Sequence, residues 1–422
     1  RLAPGGVLCQ WAHTYDISDA DLRSIVATFG SVFPDGALWL VGEGDVLLVG
    51  STEPIAPKLQ TMVEQWDRPG LSADLADVDI RDAFSLVSQW LGGSTLLKTY
   101  GEGARPQTDD RLSLEFTAPR AIFGRQRDDT LGPLRQLATL DSRPPALEAL
   151  VASAGADELR HRGEMFLRAD AFASAYRDFT AAFERAPTSQ EVVKGLARAA
   201  ESMHKQEDVI GLLRTRLAQD PGNVAVGVEL ARLLTATGRA GDAVEIASDL
   251  AGRFPTDSRP LEQLASIFAD GGDTARLEPV VAALTTVAAD APETAYFQAS
   301  LAFMKGAFPE AVAAGERVLI KRPNDARTLN LLGAAFATGG DRERARQYFQ
   351  ASLKSDPKDA TSYTNLATFE LEAANADTAA NLFSEALTLD PSSETARRGL
   401  IQALRNLGRT DRAAQLERVL TR

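Results

Sequence analysis

The chain has 422 residues, of which 44% are hydrophobic and 24% charged, with 32 Gly and 20 Pro. This is the composition of a globular protein, so collagen, a disordered chain and a disulfide scaffold are excluded. The formal net charge of −13 argues against nucleic acid or an anionic membrane as a binding partner, because the overall electrostatic field of the protein repels polyanions.

The front of the chain predicts a small α/β region. Residues 7–11 form an apolar run typical of a buried strand, and the apolar spacing within residues 18–32 indicates an amphipathic helix. Two short apolar runs, 37–41 and 45–49, predict a hairpin. Residues 55–97 carry helical periodicity. A strand, a helix and a terminal hairpin in this order form the closing part of a Rossmann-like sheet.

Several stretches of this region match one enzyme family. They are Leu2–Trp11, Phe29–Pro34, Leu38–Trp39 and Asp45–Ser51, followed by Thr108–Arg111, Leu114–Phe116 and Ala118–Arg120. Over residues 1–125 the chain resembles the C-terminal half of spermidine synthase-like proteins, the polyamine aminopropyltransferases. The bacterial members fused to a transporter-like membrane segment are the most similar. The resemblance implies a Rossmann-like α/β fold of the class I S-adenosylmethionine-dependent transferase type.

The resemblance also implies what this chain lacks. In that family the glycine-rich cofactor turn, the ribose-holding acid and the catalytic Asp all precede the matched segment, and none is in the chain. Because the sequence opens on Arg1, we interpret it as a fragment. We therefore expect no cofactor in this chain, and S-adenosylmethionine or its decarboxylated form only in a full-length parent.

Gln10, His13 and Tyr15 are the candidate substrate residues, because they lie toward the carboxyl end of the first strand, where open α/β sheets keep their ligand crevice. The alternative is a structural role for His13 and Tyr15. Family members follow the matched Gln with a small residue and a Glu, whereas Trp11 and Ala12 follow Gln10 here. This departure argues against polyamine specificity.

Seven regularly spaced prolines indicate an internal repeat in the second part of the chain. A connector at residues 126–155, with a short predicted helix, precedes the repeat. Their intervals are 34, 34, 37, 31, 34 and 34 residues. Within each period, apolar residues recur three and four apart in two runs separated by a turn, which predicts a pair of helices. The prolines are Pro187, Pro221, Pro255, Pro292, Pro323, Pro357 and Pro391.

Small and aromatic residues recur in phase with the prolines, as in Gly163 with Phe179 and Gly333 with Phe349. This pattern resembles the tetratricopeptide repeat, and the alternative is a generic helical array of similar period. The predicted fold class is mainly α, a tetratricopeptide-repeat α-solenoid over residues 156–422 with about seven units and a degenerate last one. The late Pro292 predicts an extra turn on the second helix of the fourth unit, which also contains Pro279, with a kink or shifted packing there.

The first helices of such pairs line a concave face that binds extended peptides or partner helices. Candidate lining residues occupy the second, fifth, ninth and twelfth positions, and each has a solvated helix face as its alternative. No unit carries the Lys and Asn that the resemblance would require for a peptide carboxylate clamp. The candidates are Arg160, Lys194, Arg198, Arg232, Tyr296, Phe303, Arg327, Asn330, Thr364 and Thr368.

Other classes of site find little support. One cysteine, Cys9, and three scattered histidines predict neither a disulfide nor an ordinary zinc site. No uninterrupted apolar window reaches the length of a membrane span. We expect a cytoplasmic chain, or one on the cytoplasmic side of a membrane-attached parent.

Two functions follow from the sequence. The first is a protein–protein interaction module attached to the remnant of a synthase-like domain, binding a protein or peptide and no nucleic acid. The alternative is an aminopropyltransferase or related S-adenosylmethionine-dependent transferase in the parent, inactive in this fragment.

Overall fold

The computed structural model describes residues 2–42, 44–78, 80–110, 114–117, 131–139 and 141–420. The chain divides into two compact units, residues 1–229 and 230–422, and each unit is described by itself. Parts of the predicted motifs at 108–120 and of the predicted connector lie outside the described residues. The fold is mainly helical, with one small sheet near the front.

The first unit contains a four-stranded antiparallel sheet in the order β1–β3–β2–β4. Leu48 of β3 pairs with Gln10 of β1 on one side and with Leu38 of β2 on the other. The predicted strand, helix and hairpin are present, but the first strand is not buried as expected: residues 7–11 are exposed, because this strand lies at the edge of the sheet. The strands are β1 (Val7–His13), β2 (Ala37–Val41), β3 (Asp45–Ser51) and β4 (Trp90–Gly92).

Short helices surround the sheet. They are α1 (Asp19–Val32), α2 (Ala56–Glu64), α3 (Leu71–Ala76), α4 (Ala83–Val87), α5 (Ser94–Gly101), α6 (Leu131–Ala138) and α7 (Pro145–Ser153). The helical periodicity predicted over 55–97 is interrupted by β4. Helix α4 ends at Val87, and Trp90 pairs with Trp39 of β2, so the sheet edge overrides the local helical pattern.

Alternating side chains of the sheet enter two different cores. Leu38, Val46 and Leu48 pack with apolar residues of α1, α5 and α6, such as Leu22 and Leu96. On the opposite face, Ala37 and Trp39 pack against Ile55, Leu59, Val87 and Leu147. The sheet is therefore covered by helices on both faces.

Helix pairs follow with a period of 34 residues. In the first unit these are α8 (Ala156–Arg168), α9 (Phe172–Arg185), α10 (Gln190–Ser202) and α11 (Gln206–Gln219), and the unit boundary falls within α12 (Val224–Ala236). The second unit continues with α13 (Ala240–Arg253), α14 (Ser258–Asp270), α15 (Thr274–Val287), α16 (Pro292–Met304), α17 (Phe308–Lys321), α18 (Ala326–Thr338), α19 (Arg342–Ser355), α20 (Ala360–Glu372), α21 (Ala376–Leu389), α22 (Glu394–Asn406) and α23 (Thr410–Leu420).

The helix pairs share two local features, a capping residue before the first helix and a turn residue with positive φ between the two helices. The residue before the first helix caps it in most pairs, as Asp325 does by accepting a hydrogen bond from the Thr328 amide at 2.8 Å. The turn within each pair contains one residue with positive φ. These residues recur every 34 positions, at Asp170, His204, Gly238, Gly272, Gly306, Gly340, Ala374 and Gly408.

The expected extra turn in the fourth pair is wrong. Helices α14 and α15 have 13 and 14 residues, the same lengths as their counterparts α18 and α19. The sequence misleads because Pro292 is the first residue of α16, where its missing N–H costs nothing. Pro323, by contrast, follows the C-cap residue of α17. The strict period is therefore kept, and α15 continues through Pro279.

Candidate protein-binding groove

A groove of about 800 Å³ lies along the first helices of successive pairs in the second unit. Helices α14, α16, α18 and α20 provide most of its walls. Their polar and aromatic lining residues are Ser266 and Asp270 from α14, Tyr296 and Phe303 from α16, Arg327, Asn330 and Thr338 from α18, and Thr361, Asn365, Thr368, Phe369 and Glu372 from α20.

Tyr296 and Arg327 form a stacked pair in the wall of this groove. The Arg327 guanidinium lies 4.2 Å from the centre of the Tyr296 ring, within the range of a cation–π interaction. The Tyr296 ring also meets Phe297 edge-on, at a centroid distance of 5.3 Å. The stack holds two large side chains from neighbouring pairs in place.

Asn330 is a buried amide at the edge of the same space. Its side chain is 7% exposed, and its Nδ2 donates to Ser362 Oγ at 3.0 Å. Ser362 in turn donates to Asp359 at 2.5 Å, so the amide is held by a chain of polar contacts. Within the described residues Asn330 Oδ1 accepts no hydrogen bond. A buried acceptor without a donor is costly, and this oxygen is itself closed off from solvent.

The lining is acidic. Asp270, Asp356, Asp359 and Glu372 line the groove with Arg327 as the cation among the lining residues that the structure describes. Asp359 caps α20 by accepting hydrogen bonds from the amides of Thr361 and Ser362. Four carboxylates facing one guanidinium give the groove a negative charge.

A buried ion pair supports the wall behind the lining. Glu370 is 5% exposed and accepts a hydrogen bond from Arg346 Nε at 2.7 Å. Asn375 Nδ2 donates to the same carboxylate at 2.5 Å. The hydrogen bond from Arg346 is the main cause that lowers the pKa of Glu370. The carboxylate is therefore charged at neutral pH and holds α19 against α20.

The predicted lining residues of the second unit mostly lie together. Tyr296, Phe303, Arg327, Asn330 and Thr368 all border the groove. Thr364 is buried, with 8% of its surface exposed, and its hydroxyl donates to the Ala360 carbonyl at 2.9 Å. That residue packs within its own helix and is not among those lining the groove.

The remaining predicted lining residues do not border this groove. Arg160 donates to Glu164 at 2.8 Å on its own helix, and Lys194 and Arg198 lie exposed on α10. Arg232 lies half-buried on α12. Peptide binding by these four residues stays a prediction.

The structure does not bring together the three candidate substrate residues of the front region. Gln10 lies on the same face of β1 as the core residue Ala12, whereas His13 lies on the opposite face. The His13 ring stacks on Tyr15 at a centroid distance of 4.9 Å. Gln10 instead borders a cavity of about 760 Å³ lined by apolar residues such as Leu8 and Phe29.

Sequence reasoning missed part of the acidic lining. Asp270 and Glu372 occupy the thirteenth position of their units, and Asn365 the sixth. Both positions continue the face formed by the second, fifth, ninth and twelfth, since residues three and four apart share one side of a helix. The 34-residue repeat would have predicted these residues if the lining face had been extended to the sixth and thirteenth positions of each unit.

Across the described ranges, no three His, Cys, Asp or Glu side chains approach each other closely enough to bind a metal ion. None of the helices described combines the length and apolar character needed to cross a membrane.

Comparison with known families identifies the repeat type. Models of the tetratricopeptide repeat match residues 316–360, 330–393 and 370–419. Residues 316–419 therefore contain tetratricopeptide repeats, as the sequence predicts. The groove residues on α18, α19 and α20 lie within this stretch, whereas those on α14 and α16 precede it. No curated protein sequence matches the chain.

Several solved structures match parts of the chain. A tetratricopeptide repeat protein from Parabacteroides merdae is 16% identical, with a TM-score of 0.46, over 59% of this chain and 98% of that one. A tetratricopeptide repeat protein from Thermus thermophilus is 18% identical, with a TM-score of 0.40, over 42% and 97%. The APC/C hetero-tetramer Cut9–Hcn1 is 16% identical, with a TM-score of 0.45, over 83% and 67%.

Proposed function

We propose that this chain is a protein-docking module that binds an extended segment of a partner protein in the groove of the second unit. The observation that carries the proposal is the convergence of Tyr296, Arg327 and Asn330 from successive first helices on one concave space. Tetratricopeptide repeats suggest protein binding in general, and the groove is the specific surface to which we assign it.

The groove offers the contacts that an extended peptide needs. Its volume of about 800 Å³ is in the range of sites that enclose several side chains. The aromatic rings of Tyr296 and Phe303 provide apolar contact area, and the Asn365 side chain provides a polar amide. Rigid helices present all three, so little entropy is lost by the protein on binding.

A peptide selection tests the proposal. The whole chain is immobilised, phage-displayed random dodecapeptides are selected on it, and the enriched peptides are titrated by calorimetry. We expect saturable binding that Tyr296→Ala combined with Asn330→Ala weakens at least ten-fold. Gln347→Ala, an exposed position on α19 that does not line the groove, is the matched control and should bind as the wild type does.

Circular dichroism shows that each variant is folded before its affinity is compared. If no peptide is enriched, or if the enriched peptides bind the double variant as tightly as the wild type, groove docking is wrong.

A transferase-related origin for residues 1–125 is the second candidate. It is supported by β1, α1 and the hairpin β2–β3, which follow each other in the order that the resemblance implies and join in one sheet. Strand β1 is an edge strand of this sheet, and its residues Val7, Leu8 and Trp11 are exposed. We propose that the residues of this chain do not by themselves bind S-adenosylmethionine or its decarboxylated form.

Calorimetric titration of both cofactors into this chain checks the assignment. We expect no saturable heat, because the chain carries no glycine-rich cofactor turn. Micromolar binding of either cofactor would overturn it.

A further inference from the structure

No described side chain forms an ion pair with the carboxylates of the groove, although Arg342 donates to the backbone carbonyl of Glu372 at 3.3 Å. Asp270 and Glu372 form no ion pair within the described residues, and neither do Asp356 and Asp359. Arg327, the cation among the described lining residues, lies over the Tyr296 ring and likewise forms no ion pair. The negative charge of the groove therefore faces whatever occupies it.

Helix ends strengthen this potential. Asp270 is the last residue of α14 and Glu372 the last residue of α20. The C-terminus of a helix carries a partial negative charge, which adds to a carboxylate placed there and favours a cation. These two helix ends lie three repeats apart along the groove and have the same electrostatic preference.

The spacing of the carboxylates suits a chain and not a single ion. Asp359 and Glu372 stand at opposite ends of α20, about 20 Å apart at the rise of an α-helix. No metal ion can bridge that distance. An extended peptide of about six residues spans it at roughly 3.3 Å per residue.

From these observations, and resting on the proposed function, we infer that the occupant of the groove is an extended basic segment whose Lys or Arg side chains meet Asp270 and Glu372. Asn330 Oδ1 lacks a donor but is itself closed off from solvent, so the inference rests on the charge and length of the groove lining. The acidic lining thus selects the partner's charge.

The test uses the dodecapeptides selected on the whole chain. We expect them to be enriched in Lys and Arg, and the tightest one is labelled with fluorescein and titrated by fluorescence anisotropy. Replacing its Arg by citrulline and its Lys by norleucine should weaken binding about ten-fold, because the charge–charge contacts are lost.

The protein side of the test removes two charges. Asp270→Asn combined with Glu372→Gln should weaken the labelled peptide about ten-fold and reduce the dependence of affinity on salt. Glu385→Gln is the matched control, since Glu385 is exposed on α21 and does not line the groove. It should leave the affinity unchanged.

The outcomes separate the two ideas. Enriched peptides that need Tyr296 and Asn330 but contain no Lys or Arg, or that ignore the Asp270→Asn and Glu372→Gln variant, would overturn the basic segment and leave groove docking in place. If no enriched peptide depends on the groove, docking and the basic segment both fall.

Discussion

The ring of Phe349 lies in the space that Gly333 leaves by having no side chain. A Cβ atom at Gly333 would stand 2.7 Å from Phe349 Cδ1, closer than carbon atoms approach in folded proteins. Helices α18 and α19 pack against each other through this pair, which also joins the wall of the groove, because Phe349 is one of its lining residues. The small and aromatic positions of the repeat are thus complementary in shape.

Gly333→Ala is expected to destabilise the protein. The added methyl group forces the Phe349 ring or the helix to move, and such overpacking costs about 1–3 kcal/mol. This exceeds the gain of about 1 kcal/mol that Ala brings to a helix interior. The urea unfolding midpoint should fall.

Gly211→Ala is the matched control for that change. Gly211 lies in the middle of α11, and no atom lies within 4 Å of a Cβ built there. The same substitution should raise the midpoint slightly. A lower midpoint for both variants would contradict the packing explanation.

Ala374→Gly is expected to stabilise the protein. Ala374 has a φ of 63° at the position where most repeats carry glycine, and a side chain in that conformation costs about 1–2 kcal/mol. Part of this is offset because glycine gains entropy in the unfolded chain, which leaves a net gain of about 0.5–1 kcal/mol.

The neighbouring position separates backbone strain from a general effect of glycine. Ala373 has a φ of −78°, so glycine relieves no strain there. In thermal unfolding experiments, Ala373→Gly should lower the melting temperature, whereas Ala374→Gly should raise it. Equal shifts of the two variants would show that the positive φ of Ala374 carries no strain.

Stability should depend on the charge of Glu370. The pKa of Glu370 in the folded protein lies below its ordinary value of 4.5, chiefly because Arg346 donates to the carboxylate. The unfolded chain therefore takes up the proton first, so the contribution is complete above pH 4.5 and is lost as the pH falls through the lower, folded pKa. Urea unfolding between pH 6 and pH 3 measures this loss.

Glu370→Gln should flatten this part of the pH profile, while Glu385→Gln, an exposed control, should keep the slope of the wild type. Parallel profiles for Glu370→Gln and the wild type would exclude the pair as a source of the pH dependence.

The repeat could be predicted from the sequence because each of its signals is local. The 34-residue spacing of prolines such as Pro187 and Pro221 gives the period, and helices α8 and α10 begin at the predicted residues 156 and 190. Pro292 misled because a proline fits both just after a helix and at the first position of one. Only the backbone distinguishes the two.

The contacts between distant segments could not be predicted in this way. His161 of α8 lies 2.6 Å from Asp82, the residue that caps α4, and the Arg162 guanidinium lies 4.3 Å from the Phe84 ring centre. No periodicity links residues about 80 positions apart. The groove was predictable as a face of the first helices, whereas the missing partner of Asn330 Oδ1 depends on tertiary packing.

Photo-cross-linking shows which helices contact the bound peptide. The tightest selected dodecapeptide is synthesised with benzoylphenylalanine at successive positions, irradiated with the whole chain, and the cross-linked residues are identified by mass spectrometry. We expect cross-links on α16, α18 and α20 that are lost when unlabelled peptide competes. Cross-links confined to second helices such as α17 and α21, or to residues 1–229, would contradict groove binding.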